Sequence, residues 1–477
     1  MAYGKNARPG DYGAEPGTFS ILQCSNTTIV SKKEKREDMK RMTKVLGVIT
    51  LAMVMLALGV EPALAEGPST PSYSGDLWHR STLTGDWFGA RNDLAAKGIT
   101  FEMNLTQVYQ GVVDGGKDDS WKYGGRGEFI FHLDTQKLGL WPGGFFTVQV
   151  EGNFNDSVNG LTGALNPANT NQIFPMPTGD NLNVPNVSFM QFLSPYAAVM
   201  LGKLALLTPN SGDMNEFAHG KGDTQFMNGA FNINPVTLLT VPYSTLGAGV
   251  ILLPTKNPHE AIVGFSVLQT GGKAETSGFD DLRSDELSFV GEARIRTNFF
   301  GLTGHQLIGG GYSNKTYASL DQSLRLFIEN RDIEKQDGSW MVYYNFDQYL
   351  YEPKKGSGQG IGIFGRLGAS DGDPNPMRFF FSFGVGGKGI IPGRPLDRFG
   401  IGYYYMDVKS PKFTGPHATR EFLRDESGFE AFYNIAITPW LQLTPDIQVI
   451  RPAQKEMING EDVRTATVLG LRLKTVF

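Results

Sequence analysis

The chain has 477 residues, among them 60 Gly, 32 Phe and 17 Tyr, with 43 Lys or Arg against 48 Asp or Glu. So much glycine and aromatic residue together argues against a cytosolic α/β enzyme, and the slightly acidic balance, without a basic patch interleaved with aromatics, argues against nucleic acid as a partner. Cys24 is the one cysteine, so no intrachain disulfide can form, and a metal site would have to be built from His or carboxylates.

In chain order, residues 1–38 carry no apolar periodicity and include the run K-K-E-K-R-E-D from Lys32 to Asp38. They read as a non-native or leader extension, with translation starting at Met39 or Met42. Residues 39–65 are built like a secretory signal peptide: a basic stretch from Met39 to Lys44, an apolar core from Val45 to Val60, and Ala63-Leu64-Ala65 as a cleavage site before Glu66. The apolar core falls short of the ~20 residues that a membrane-spanning helix needs, and it stops at Glu61-Pro62. Its removal leaves 412 residues with 34 basic and 42 acidic side chains, on a chain exported from the cytoplasm.

Residues 66–98 form an N-terminal segment that opens with a Pro/Ser-rich lead-in. Leu83 to Gly98, L-T-G-D-W-F-G-A-R-N-D-L-A-A-K-G, predicts a short helix capped by Asp86 or Thr84 and ended at Gly98. Its Trp87, Phe88 and Leu94 need burial, which a barrel offers at its periplasmic end or in its lumen.

From residue 99 to 477 the pattern changes to period two. Ile99, Phe101, Met103, Leu105 and Tyr109 alternate with Thr100, Glu102, Asn104, Thr106 and Gln110, over about the length of a tilted membrane strand. About sixteen such segments follow, at about 26 residues per strand with its connection. In one, Phe146, Val148, Val150 and Phe154 stand against Thr147, Gln149, Glu151 and Asn153. In another, Leu287, Phe289, Ala293, Ile295 and Phe299 stand against Ser288, Glu292, Arg294, Arg296 and Asn298. Trp340, Val342, Tyr344, Phe346 and Leu350 alternate with Tyr343, Asn345, Asp347, Tyr349 and Tyr351. Leu441, Leu443, Ile447 and Val449 oppose Gln442, Thr444, Asp446 and Gln448. The last stretch sets Leu469, Leu471, Leu473 and Phe477 against Val468, Gly470, Arg472, Lys474 and Val476. An isolated strand of this kind fits a soluble sandwich equally well. Its recurrence along the chain, with an aromatic last residue, makes the fold all-β: a transmembrane antiparallel β-barrel of about sixteen strands with a short N-terminal helix.

Thr208 to Gly247 stands apart as a long Asn- and Pro-rich connection with apolar islands at Phe226-Met227 and Val236 to Val241. It is expected to fold into or over the lumen and narrow it, with a packed outer cap that leaves permeation unaffected as the alternative. The Gly-rich pieces Gly360 to Gly368 and Gly384 to Gly389 lack the strand-to-helix setting of a phosphate loop and read as strand glycines at close packing or bulges.

Five motifs occur in order: Leu83 to Phe101, G-L-W-P-G-G at Gly139, G-R-L-G-A-S-D-G-D-P-N-P at Gly365, G-R-P-L-D-R-F-G-I-G-Y-Y-Y at Gly393, and E-A-F-Y-N-I-A-I-T-P-W-L-Q-L-T-P-D-I-Q at Glu430. Each is weak alone, but the ordered set resembles the carbohydrate-selective porins of the OprB type over essentially all of residues 66–477. One departure is Arg451-Pro452, where that family usually has Asn-Pro. The resemblance implies a sixteen-stranded porin of the Gram-negative outer membrane, passing monosaccharides and related polyols, with lipid and lipopolysaccharide around it. A homotrimer is an analogy with porins of this size.

A neutral polyol in a pore exchanges water hydrogen bonds for protein ones, so it suits donor forks, carboxylate or amide acceptors and aromatic faces. Glu151, Glu292, Arg294, Arg296, Tyr343 and Asp347 are the candidate pore-lining and sugar-contacting residues. Each is also readable as a solvated lumen residue or a structural ion pair. Their mixed signs argue against strong ion selectivity. His79, His132, His219, His259, His305 and His417 stand in no catalytic motif, so no enzyme, cofactor or metal is expected. A general diffusion porin, a barrel with a blocked lumen and a secreted sandwich such as a lectin are the competing readings.

Overall fold

The computed structural model describes residues 73–176, 182–206, 215–279, 282, 285–323, 332–414, 421–457 and 459–477. The extension and signal peptide read from residues 1–65 lie outside these. Sixteen antiparallel strands close into one barrel. They are β1 (Ile99–Gly116), β2 (Trp121–Asp134), β3 (Gly144–Asn155), β4 (Asn183–Ser194), β5 (Ala197–Ala205), β6 (Ser244–Leu252), β7 (Ala261–Gln269), β8 (Leu287–Phe299) and β9 (Leu302–Ala318), followed by β11 (Lys335–Tyr351), β12 (Gly360–Ser370), β13 (Met377–Lys388), β14 (Arg398–Val408), β16 (Glu426–Thr438), β17 (Leu441–Arg451) and β18 (Arg464–Val476). Between them β10 (Asp321–Ser323) and β15 (Lys412–Thr414) pair in parallel as a separate two-stranded patch.

Closure is made by β18, which pairs with β17 and with β1, from Asn104↔Val476 to Gly116↔Arg464. A closed sheet leaves no strand edge, so every strand's backbone groups find partners without water. The two faces follow the alternation. Tyr109, Phe289, Leu350, Ile447, Leu469 and Leu471 are exposed outward, while Gln110, Gln149, Ser288, Asp347, Thr444 and Arg472 are buried inward.

Strands β5 to β7 depart from that pattern. Their outward residues, such as Leu201, Val250, Phe265 and Val267, are apolar and exposed. Their inward residues are also apolar or small: Met200 and Leu204, Gly249 and Ile251, Ile262 and Leu268. The inner face of this arc is less polar than expected, with Ser266 supplying a hydroxyl on its β7 part.

Short connections gather at one end of the barrel, with two-residue turns after β4, β8 and β16, and the longer connections leave the other. The N-terminal segment sits at the short-turn end. Leu83 N donates to Val476 O at 2.8 Å, Trp440 Nε1 to Leu77 O at 2.7 Å, and Arg91 Nη1 to Phe477 O at 3.0 Å. Its α-helix is Ala90–Ala96, starting later than expected behind a 3-10 turn at Trp87–Gly89. Asp86 Oδ1 accepts from Asn92 N at 2.9 Å, and Gly98, at φ +86°, ends the helix. The expectation that Phe88 needs burial is corrected: Phe88 is fully exposed, at φ +60°, whereas Trp87 sits 6.1 Å from the Phe101 ring. The physical reason is that the segment lies against outward-facing Phe101 rather than inside the lumen.

Candidate functional site

The long connection between β5 and β6 folds into the lumen, and its residues 215–243 cross from one wall to another. Ser244 already belongs to β6, so the loop ends sooner than the Gly247 read from the sequence. Asn228 accepts from Ala230 N through its side chain at 3.0 Å and caps a one-turn helix, Gly229–Asn232; Pro235–Thr237 follows as a 3-10 turn. These turns turn the apolar islands toward the wall. The Phe226 and Phe231 rings, 4.5 Å apart, meet Phe364, Phe432 and Tyr404 at 4.8–6.1 Å.

Glycine on the facing strands makes room for them. A Cβ on Gly386 would stand 2.7 Å from the Phe217 Cβ, and one on Gly402 would stand 2.5 Å from the Phe231 ring. Four inward charges on this side end on the loop, not in water. Glu430 accepts from Met227 N and Asn228 N at 2.5 and 2.9 Å. Arg366 donates to Phe231 O at 2.7 Å and also to Ala218 O, and Arg472 donates to Gly222 O and Gln225 O at 2.8 Å. Lys474 pairs with Asp223 at 2.7 Å. On the other side Lys221 Nζ reaches Glu128 on β2 at 2.8 Å and Glu151 on β3 at 2.5 Å. The expectation of an inward-folded loop is the arrangement found.

What the loop leaves open is a cavity of about 620 Å³ between it and the arc of β2 to β9 with β11. Along β7 it runs from Ile262 to Leu268, six residue steps or roughly 20 Å of strand. Glu292, Arg294, Tyr343 and Asn345 line it beside Gln149, Asn186 and Ser188, with Asn232, Asn234 and Thr237 from the loop. Met200, Leu204, Ile251, Ile262 and Leu268 make up an apolar part of the same wall.

Of the six candidates, the structure brings Glu292, Arg294 and Tyr343 together on this cavity. Tyr343 Oη donates to Glu292 Oε1, and Arg294 Nη2 donates to Pro258 O at 2.9 Å. Glu151 is fully buried, accepting from Lys221 and, at 2.6 Å, from the Tyr243 hydroxyl. Asp347 is buried against His305 Nδ1 at 3.0 Å and accepts from Glu216 N at 3.2 Å. Arg296 donates to Thr303 Oγ1 at 3.3 Å near the short-turn end. Neither Glu151, Asp347 nor Arg296 lines the large cavity. Sequence reasoning missed Lys221, Asp223, Arg472 and the other anchors as a set, because their partners are distant in the chain and no local spacing marks them.

Comparison with known proteins fits this geometry. Residues 118–477 match the family described as carbohydrate-selective porin, OprB family. Porin AaxA of Chlamydia pneumoniae is 30% identical over 202 residues, 41% of this chain and 41% of that protein. Porin AaxA of Chlamydia abortus is 27% identical over 203 residues, so the chain covers about two fifths of the length of these relatives. The high-pH structure of Pseudomonas putida OprB superposes with a TM-score of 0.70 at 20% identity, covering 84% of this chain and 99% of that one. The likeness to that structure is one of fold.

Proposed function

This chain belongs to the OprB family of carbohydrate-selective porins, and from that premise we propose that it lets monosaccharides and related polyols diffuse passively through its barrel. The observation that carries the reading is the cavity of about 620 Å³ beside the lumen loop, with Glu292, Arg294, Tyr343 and Asn345 on its wall. A hydroxyl leaving water there meets a carboxylate acceptor, a guanidinium donor and an amide, so a hydrogen bond is replaced as it is lost. A carboxylate and a guanidinium two residues apart on one strand face give the wall no dominant sign, which disfavours holding an ion of either charge. The loop narrows the path without filling it.

The family and the closed barrel imply an outer-membrane protein of a Gram-negative bacterium. Small neutral sugars are the solutes in this reading, and lipid with lipopolysaccharide surrounds the apolar outer face. The test is osmotic swelling of liposomes holding the refolded chain, with glucose, a disaccharide, an amino acid and a salt at matched osmolarity. Glucose entering faster than non-sugars of equal size supports the reading. Rates set by size alone would make the chain a general diffusion porin, and no swelling with any solute would mean a closed lumen.

A further inference from the structure

The open side of the lumen has two unlike parts. On β8 and β11, Glu292, Arg294, Tyr343 and Asn345 offer hydrogen bonds. On β5, β6 and β7 the same cavity is lined by Met200, Ile251, Ile262 and Leu268, with Gly264 and the single hydroxyl of Ser266 between the last two and no charged side chain from these three strands. The loop adds Ile233 and Val241 to the apolar part. This surface lies on the void, not in the closed contact where Phe226 and Phe231 meet the far wall.

An aliphatic wall is of no use to a fully hydroxylated solute. Each hydroxyl pressed against it loses a water hydrogen bond and gains nothing. Methyl, methylene or aryl surface pressed against it is withdrawn from water at a gain. The volume of about 620 Å³ lies within the roughly 300–1,000 Å³ of small-molecule sites, so one solute can touch both parts at once.

We propose that the pore favours amphiphilic polyols: 6-deoxysugars and small alkyl or aryl glycosides, which carry hydroxyls along one edge and hydrocarbon on the other. The hydroxyl edge engages Glu292, Arg294 and Tyr343, and the hydrocarbon face slides over Met200, Ile251 and Ile262. This rests on the reading that sugars cross through this cavity, and adds to it the class of sugar.

The test is swelling of liposomes holding the full refolded chain, with glucose, 6-deoxyglucose and methyl β-glucoside, each rate corrected for protein-free vesicles. Both derivatives enter faster than glucose although the glycoside is larger, by up to about fourfold for each methylene fully withdrawn from water. In the Ile251→Thr/Ile262→Thr variant, and independently in Met200→Gln, their rates relative to glucose fall to one or below. Heat-modifiable migration in gels verifies that each variant is folded. Entry of glucose with ratios at or below one in the unaltered chain would overturn this proposal alone, as would ratios that survive in both variants. No entry of any solute would overturn the sugar-pore reading and this proposal with it.

Discussion

Lys221 Nζ, carried by the lumen loop, donates to Glu128 Oε1 on the barrel wall at 2.8 Å. With Lys474–Asp223 at 2.7 Å it ties the loop to β2 and β18, the two strands that flank β1. Lys221→Met removes the cation that bonds both Glu128 and Glu151 and leaves Arg126, 3.9 Å from Glu128, to face the two carboxylates. Breaking a buried pair on one side costs about 3–5 kcal/mol, enough to free this end of the loop. Single-channel conductance in planar bilayers rises as a result, and larger sugars are admitted. An unaltered conductance would mean the loop is held without Lys221.

The glycine wall gives a prediction of opposite sign. At Gly386 a Cβ would stand 2.7 Å from Phe217, and at Gly402 2.5 Å from Phe231. Gly386→Val and Gly402→Val therefore push the loop off the wall and toward the open cavity, at an overpacking cost of about 1–3 kcal/mol. Conductance falls in both. A rise, or no change in either, would contradict this docking.

On the cavity wall, Glu292→Ala and Arg294→Ala each take away a hydrogen-bonding group on the sugar path. Glucose flux shifts by about two- to tenfold, the range of one net hydrogen bond, while heat-modifiable migration stays normal. Unchanged flux in both variants would remove the two residues from the path.

At the short-turn end, Asp397 is buried in the turn between β13 and β14. Burial by itself would raise its carboxyl, but Arg394 with two bonds at 2.8 Å, the Ala436 N–H at 2.9 Å and the Tyr433 hydroxyl at 2.8 Å hold it below the usual carboxylate range. A carboxyl depressed in the folded state contributes stability above its unfolded value near ~4 and loses it as pH falls through the folded value. Asp397→Asn lowers the urea midpoint at neutral pH, and the gap to the unaltered chain closes below about pH 4. A gap that persists at about pH 2 would show that the carboxylate's charge is not what stabilises the turn.

Much of the barrel is legible in the sequence because period two survives wherever one face meets water and the other does not. The run Leu287 to Phe299 is β8, with its faces as read, and the alternations at β3, β11, β17 and β18 hold as well. Strands β5 to β7 were the obscure arc. Ala-Ile-Val-Gly-Phe-Ser-Val-Leu-Gln of β7 is largely apolar on both faces, with Ser266 the one polar side chain between Ile262 and Leu268 on the inner one, so the pattern that marks a lumen wall is lost there.

The site was less legible for a different reason. Period two places Glu151 and Asp347 inward, and inward they are, but it cannot tell a side chain facing water from one facing a loop. Lys221 lies 70 positions from Glu151, and Glu216 lies 131 positions before Asp347. Only the path of the loop makes these neighbours. Glu292, Arg294 and Tyr343 stay on the open cavity because the loop passes on the other side.

In the proposed pore, solutes pass between the loop and the β2–β9 arc and not along the loop-covered wall. Thiol modification tests it, since the sequence holds no cysteine but Cys24. Ser266→Cys puts a thiol on the open cavity, and Ser382→Cys puts one on the buried inner face of β13. A bulky hydrophilic thiol reagent added to reconstituted channels lowers conductance and glucose flux in Ser266→Cys and leaves Ser382→Cys unaffected. Block at Ser382, or free passage after complete labelling at Ser266, would contradict it.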